Sequence, residues 1–185
     1  CEKVSRHFHL PFQSGSNPVV KKINRGYTRE QYLELIEYAR KAVPGIAFTS
    51  DVIVGFPGET REDFEQTLDL IKQVNFVSLF TFIFSPREGT PAAVMPDPIP
   101  AAEKSAWFQE MNKVQEELAA QRLAGMVGSI RQALIEERCE GFLEARLPEN
   151  IVIRVDEGDA PVGSYAQVEI TDAKSWILMG KIISD

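Results

Sequence analysis

The chain has 185 residues, 44% of them hydrophobic and 25% charged, with a net charge of −7. This composition is that of a globular protein and excludes a disordered, collagen-like or coiled-coil chain. No apolar run reaches the roughly 18 residues of a membrane span, so no membrane partner is expected. Two cysteines, Cys1 and Cys139, are too few for a disulfide framework, a structural zinc site or an iron–sulfur cluster, and point to a reducing, cytoplasmic setting. The start, Cys-Glu-Lys-Val-Ser-Arg, has no initiator Met and no signal core, and reads as the middle of a longer protein.

Charge is uneven. Residues 1–44 carry eight basic and four acidic side chains, residues 45–125 six and twelve, and residues 126–185 six and eleven. An acidic chain is a poor non-specific nucleic-acid binder, because phosphate contacts need Lys and Arg. Lys21, Lys22, Arg25 and Arg29 form a local basic cluster, readable as a binding patch or as a solvated helix end.

In chain order, His7–Phe12 reads as a short strand, followed by a polar loop, Gln13–Asn17. Pro18 suits the first turn of a short helix capped by Ser16 or Asn17. Thr28 and Gln31 fit a capping box, and Tyr32, Leu35, Ile36, Ala39 and Val43 recur behind it at helical spacing. Ile46–Val54 reads as a strand buried on both faces. After the turn Gly55-Phe56-Pro57-Gly58, Thr60 caps a helix with Phe64, Leu68 and Ile71 inside. Ser78–Phe84 is a third strand, residues 86–100 a Pro-rich connection, and Ala101–Leu123 a long helix with Trp107, Met111, Val114 and Leu118 on one stripe. Three β-loop-α units do not close a barrel, which needs about 250 residues for eight units, so they read as later units of a partial TIM-like barrel. Beyond Gly125 the period changes. Ile130–Glu137, Gly141–Arg146, Ile151–Val155, Tyr165–Thr171 and Trp176–Ile183 read as five strands of a small OB-like, all-β domain. The expected division is 1–123 and 124–185.

Ligands of parallel β/α architectures sit at the carboxyl ends of strands. Three loops fall there: Gln13–Asn17, Gly55–Thr60 and Ser85–Ala93. His7 and His9 share a strand face but have no third ligand nearby, so they read as structural and no metal site is expected. Asp51 sits inside an apolar strand, where a carboxylate needs a partner or a function. Cys139 reads as incidental.

Four segments carry a family resemblance. His9-Leu10-Pro11-Phe12-Gln13-Ser14-Gly15-Ser16 resembles the HLPxQSGS segment of the radical S-adenosylmethionine methylthiotransferases. Asn24-Arg25-Gly26-Tyr27-Thr28, Asp51-Val52-Ile53-Val54-Gly55-Phe56-Pro57-Gly58-Glu59-Thr60 and Ser85-Pro86-Arg87-Glu88-Gly89-Thr90-Pro91-Ala92-Ala93 are similar to that family's next three signatures, in the same order. The last sixty residues resemble its TRAM module. Phe80–Ser85 most resembles the branch that acts on isopentenyladenosine in tRNA (MiaB type). Branches acting on threonylcarbamoyladenosine or on ribosomal protein S12 are the alternatives, and a non-catalytic RNA- or partner-binding module on a degenerate barrel is the alternative from another class.

The resemblance implies a radical enzyme that uses S-adenosylmethionine and two [4Fe–4S] clusters to add a methylthio group at C2 of a modified adenosine in the tRNA anticodon loop. It implies an electron donor such as flavodoxin or ferredoxin. Gln13, Ser14, Ser16 and Arg25 would contact the polar end of S-adenosylmethionine, and Arg25 suits its carboxylate. Val54, Gly55, Phe56 and Pro57 would line the adenine pocket. Glu59 would orient ribose hydroxyls or tie the turn. Arg87, Arg146, Arg154, Lys174 and Lys181 would contact substrate or RNA. The cluster motif CxxxCxxC is absent, so the cluster ligands are expected upstream and the fragment alone is expected to be inactive. Ala145-Arg146-Leu147-Pro148-Glu149-Asn150 departs from the more basic run that family members often have there.

Overall fold

The computed structural model describes residues 4–156 and 158–183, so Cys1 lies outside the described residues. The elements run β1 (His7–His9), α1 (Asn17–Lys22), α2 (Arg29–Ala42), β2 (Ala47–Val54), α3 (Arg61–Val74), β3 (Ser78–Ile83), a 3-10 turn (Pro91–Val94) and α4 (Ala101–Ala124). Five strands follow: β4 (Ile130–Cys139), β5 (Phe142–Arg146), β6 (Val152–Asp156), β7 (Tyr165–Lys174) and β8 (Ile177–Ile182).

The helices start where their caps dictate. Ser16 caps α1 by accepting from the Val19 amide, with Pro18 in the first turn. Thr28 and Gln31 close both arms of a capping box on α2, and Thr60 and Asp63 do so on α3. Each box satisfies amide donors that a helix start leaves unpaired. Asn75, in the left-handed region at φ 53°, ends α3. Tyr32, Ile36 and Ala39 of α2 and Phe64, Leu68 and Ile71 of α3 are buried as their spacing predicts. Leu35 is not: it is exposed on the outer side of α2.

The described residues pack as two compact units, one of residues 8–44 and 48–116 and one of residues 4–7, 45–47, 117–156 and 158–183. In the first, the sheet order is β1-β2-β3, with β2 and β3 parallel in the register Thr49↔Ser78 to Val54↔Ile83. Gln13 extends the β1 side by a parallel bridge to Val52. Phe48, Val52 and Val54 project from one face of β2 into a core with Phe12, Phe64 and Met111. Two aromatic stacks order it: Phe12 on Phe76 at 5.3 Å, and Phe64 on Trp107 at 5.2 Å. On β3, Thr81 bonds Asn112 of α4 at 2.9 Å, whereas Phe80 and Phe82, of opposite parity, are 54% and 52% exposed. The buried line of α4 in this unit is Lys104, Trp107, Met111 and Gln115. Val114 and Leu118, expected on that stripe, are only half-buried.

In the second unit the five strands close a barrel in the order β4-β5-β6-β8-β7. All ladders are antiparallel except β6–β8. Closure removes sheet edges. Alternate residues fill the interior: Ala133, Ile135, Leu143, Ala145, Ile153, Val155, Val168, Ile170 and Leu178 are each at most 1% exposed.

Candidate functional site

The first unit carries an open cavity of about 860 Å³ at the carboxyl ends of its strands. It is lined by all three strand-tip loops and by the rungs of β2 and β3 beneath them, including Gln13, Arg25, Asp51, Phe56, Phe82 and Arg87. Convergence of the loops follows from the parallel sheet, which brings every strand's carboxyl end to one side.

Gln13 is the hinge of the first loop. It adopts φ 63°, an uncommon conformation for a residue other than glycine. Its amide donates to the Asp51 carbonyl and its carbonyl accepts from Ile53, both at 2.9 Å, so the backbone is held while the chain turns out of the sheet. Its side chain lines the cavity with no hydrogen-bond partner among the described residues. Tyr27 Oη donates to the carbonyls of Pro11 and Phe12, and Tyr32 Oη to that of Leu10, which pins the segment entering this loop. Burial raises the pKa of both phenols.

Ser14 and Ser16 do not reach the cavity. Ser14 Oγ lies 3.3 Å from Thr67 Oγ1 and accepts from the Ser16 amide. Ser16 Oγ donates to Asp63. Both serines are buried and tie the loop to α3. Gly15 makes that approach possible: a Cβ there would lie 2.5 Å from the Gln66 carbonyl oxygen.

In the second loop only Phe56 of the expected pocket residues faces the cavity. Val54 is fully buried on the core side of β2, and Gly55 and Pro57 are buried in the turn. Glu59 is 4% exposed and folds back on the turn: its Oε2 accepts from the amides of Gly55 at 2.6 Å and Phe56 at 3.1 Å. Its Oε1 is buried without a partner. Burial pushes its pKa up to about 7, against the lowering effect of the two amides. Of the two roles expected for Glu59, the geometry shows the tie.

The cavity is rich in cations at its mouth. Arg25 and Arg87 line it, exposed and without an ion pair among the described residues. Lys22 lines it too and donates to the Gly58 carbonyl at 3.0 Å. Arg29, the fourth member of the basic cluster, turns inward to the carbonyls of Gly15 and Gln66 and to Asp69. The cluster is therefore neither one patch nor one solvated end. Arg25 and Lys22 face the cavity, and Arg29 braces the loops.

Sequence reasoning singled out Asp51 without its setting, and missed a second feature altogether. Asp51 is not a sealed carboxylate: it is 33% exposed, lines the cavity, and its Oδ1 lies 3.4 Å from His9 Nε2. His9 Nδ1 lies 2.9 Å from Thr49 Oγ1. The alternation of His9 and Asp51 with apolar residues on neighbouring strands was the available signal. The second is Lys104, whose stem packs on Gly55, whose ammonium pairs with Asp97 and lies 5.7 Å from the centre of the Phe84 ring. Lys104 stands three residues before Trp107, on the buried stripe, where a cation signals a partner.

In the barrel unit three of the expected RNA-contacting cations pair with acidic side chains of the same unit, two of them at the surface. Arg146 donates twice to Glu136, at 2.8 and 2.9 Å, and to Asn150. Lys181 pairs with Glu169 at 3.0 Å and Lys174 with Asp172 at 3.8 Å. Arg154 differs: it has no ion pair among the described residues, its guanidinium sits 4.8 Å over the Phe142 ring, and its Nε is buried without a partner. Among the described residues no group of three His, Cys, Asp or Glu side chains could hold a metal ion, and Cys139 is a lone, half-buried thiol.

Comparison with known proteins assigns these two units. Residues 2–71 match the Radical SAM superfamily and residues 125–183 match the TRAM domain. The chain carries Radical SAM and TRAM domains. A tRNA-2-methylthio-N(6)-dimethylallyladenosine synthase of Thermoanaerobacter sp. (strain X514) is 42% identical over 98% of this chain and 39% of its own length. The protein of the same name from Caldicellulosiruptor saccharolyticus is 43% identical over 98% of this chain and 39% of its own. The chain thus spans about two fifths of the curated relatives it matches. Among solved structures, coproporphyrinogen III oxidase (HemN) from Escherichia coli, a radical SAM enzyme, superposes with a TM-score of 0.50 over 89% of this chain and 41% of that one, at 17% identity. That likeness concerns the fold. The α/β reading, a radical SAM segment followed by a small TRAM barrel, is borne out. No described helix is long and apolar enough to cross a membrane.

Proposed function

We propose that this chain is the later part of the S-adenosylmethionine-binding core, together with the TRAM module, of a tRNA methylthiotransferase acting on N6-dimethylallyladenosine in the anticodon loop. The observation that carries the reading is the strand-tip cavity, whose cationic mouth and apolar walls come from the segments in which the resemblance resides. The named relatives support it. The division at residues 123/124 belongs to the reading, supported by a TRAM match that begins at residue 125.

The residues present fit S-adenosylmethionine. Arg25 has no ion-pair partner among the described residues and offers a guanidinium fork to a carboxylate. The unpartnered Gln13 amide offers a donor and an acceptor beside it. Phe56 and Ile53 supply flat and branched apolar walls for a base. Ser14, Ser16, Gly55, Pro57 and Glu59 shape the loops rather than touch the ligand. When bound and given one electron by a reduced iron–sulfur cluster, S-adenosylmethionine would be cleaved to methionine and a 5′-deoxyadenosyl radical able to remove a hydrogen atom from substrate.

The residues present do not fit an iron–sulfur cluster. Cys139 is the one described cysteine and stands in the barrel unit. We assign the ligands of both [4Fe–4S] clusters to parts of the protein that this chain does not span, and the electron donor to a flavodoxin- or ferredoxin-type partner. A tRNA substrate makes the cytoplasm the setting of this reading. The barrel unit would hold the RNA through Arg154 and Phe142, by stacking more than by charge.

The test uses the full-length protein, reconstituted anaerobically with iron, sulfide and reductant and supplied with S-adenosylmethionine and an anticodon stem-loop RNA carrying N6-dimethylallyladenosine. Mass spectrometry of the digested RNA should show one methylthio group in place of one hydrogen, with 5′-deoxyadenosine formed. A protein with intact clusters that yields neither overturns the reading.

A further inference from the structure

The rungs of β2 and β3 present a second set of groups to the cavity, distinct from the loops at its mouth. In a parallel ladder, paired residues project from the same face. The register pairs Asp51 with Phe80 and Ile53 with Phe82. Asp51, Ile53 and Phe82 all line the cavity, and Phe80 stands one rung below Phe82 on the same face. Both rings are more than half exposed. Two large aromatic side chains open at successive same-face positions mark a surface made for an apolar occupant.

Asp51 is held from one side only. His9 Nε2 approaches Oδ1 at 3.4 Å, and His9 is itself placed by Thr49 Oγ1 at 2.9 Å and lies edge-on to Phe80 at 5.8 Å. No cation of the mouth pairs with this carboxylate among the described residues. The floor of the cavity is thus an oriented acceptor flanked by uncovered rings, beneath a cationic rim.

We propose that Asp51, Phe80 and Phe82 read the N6 substituent of the substrate adenine. This rests on the functional reading above and deepens it. An N6-dimethylallyladenine has one N6–H donor and a five-carbon apolar chain. The Asp51 carboxylate, an acceptor, takes the donor, and the two rings take the chain. An N6 substituent with its own carboxylate meets a like charge at the same place and is excluded. Unmodified adenine leaves the rings uncovered.

The experiment compares three anticodon stem-loop RNAs, bearing N6-dimethylallyladenosine, N6-threonylcarbamoyladenosine or adenosine, as substrates of the full-length reconstituted enzyme and its Phe82→Ala, Phe82→Leu and Asp51→Asn variants. Phe82→Ala should raise KM for the alkylated RNA about tenfold and shrink its advantage over unmodified RNA, while Phe82→Leu restores most of it. Asp51→Asn keeps an acceptor and removes the charge, so discrimination against the threonylcarbamoyl RNA should fall about tenfold. Unchanged ratios among the three RNAs in both Phe82→Ala and Asp51→Asn overturn the proposal. So does a large loss of thermal stability with the ratios intact, which would show that other chain segments cover the rings. A wild-type enzyme inactive on all three RNAs removes the functional reading and this one with it. Active wild type with unaltered ratios in the variants removes only this one.

Discussion

The Ser16 hydroxyl donates to the Asp63 carboxylate, and so joins the first turns of α1 and α3. Asp63 also accepts from the Thr60 amide and hydroxyl, both at 3.0 Å, and these bonds hold its carboxyl below the usual carboxylate range despite its burial. One carboxylate therefore caps its own helix and fastens the loop 47 residues away. Ser16→Ala removes both a helix cap and this fastening. It should cost about 1–2 kcal/mol, read as a lowered denaturant midpoint at unchanged slope.

Gly55→Ala tests whether the second loop depends on backbone freedom. Gly55 has φ +72°, and a Cβ there would lie 2.6 Å from Lys104 Cδ. Strain of about 1–3 kcal/mol is expected, together with weaker S-adenosylmethionine binding measured by calorimetry, because the neighbouring Phe56 wall would move.

Glu59 gives the fold a pH dependence of defined sign. Its folded pKa is raised from 4.5 to about 7, chiefly by burial. Between those values the unfolded chain loses the proton and the folded one keeps it, so stability falls as pH rises through this window. Glu59→Gln keeps an acceptor for the Gly55 and Phe56 amides and abolishes the titration. The variant's unfolding free energy relative to wild type, from denaturant melts, should rise between pH 4.5 and about 7, by at most on the order of 3 kcal/mol.

Arg25→Ala in the complete enzyme should weaken S-adenosylmethionine binding by about tenfold, with melting temperature unchanged, since the exposed guanidinium has no internal partner to lose. Unchanged affinity in equilibrium dialysis would remove Arg25 from the ligand site.

For RNA, the barrel unit predicts an asymmetry. Arg154→Ala or Phe142→Ala should lower anticodon stem-loop affinity by about 1–3 kcal/mol, the scale of one base stacked on such a platform. Arg146→Ala should change it little, because its guanidinium is already held by Glu136 and Asn150. Fluorescence anisotropy at two salt concentrations reads both.

Much of the fold was legible before any coordinates. Thr28–Gln31 and Thr60–Asp63 begin helices because a cap acts within four residues, and the switch from helical spacing to alternation after Gly125 marks the barrel because strand burial has period two. The candidate site was legible as three loops, since parallel strands bring their carboxyl ends together. Which side chains in those loops face the cavity was not. Ser14 and Ser16 look like ligand contacts in the sequence, and Arg29 like part of a binding patch or a solvated helix end, yet all three bond to α3, whose position relative to the first loop no local pattern encodes.

By itself, then, the sequence determined the caps and turns, which rest on interactions between near neighbours along the chain, and the periodicities and motifs, which are read along the chain without knowledge of its contacts. The tertiary structure alone decided that Asp51 meets His9, that Lys104 supports Gly55, and that Arg146 and Lys181 pair with Glu136 and Glu169. Those partners are set by strand register and helix packing. Both arise from burial of the whole core at once, and burial is a property of no single segment.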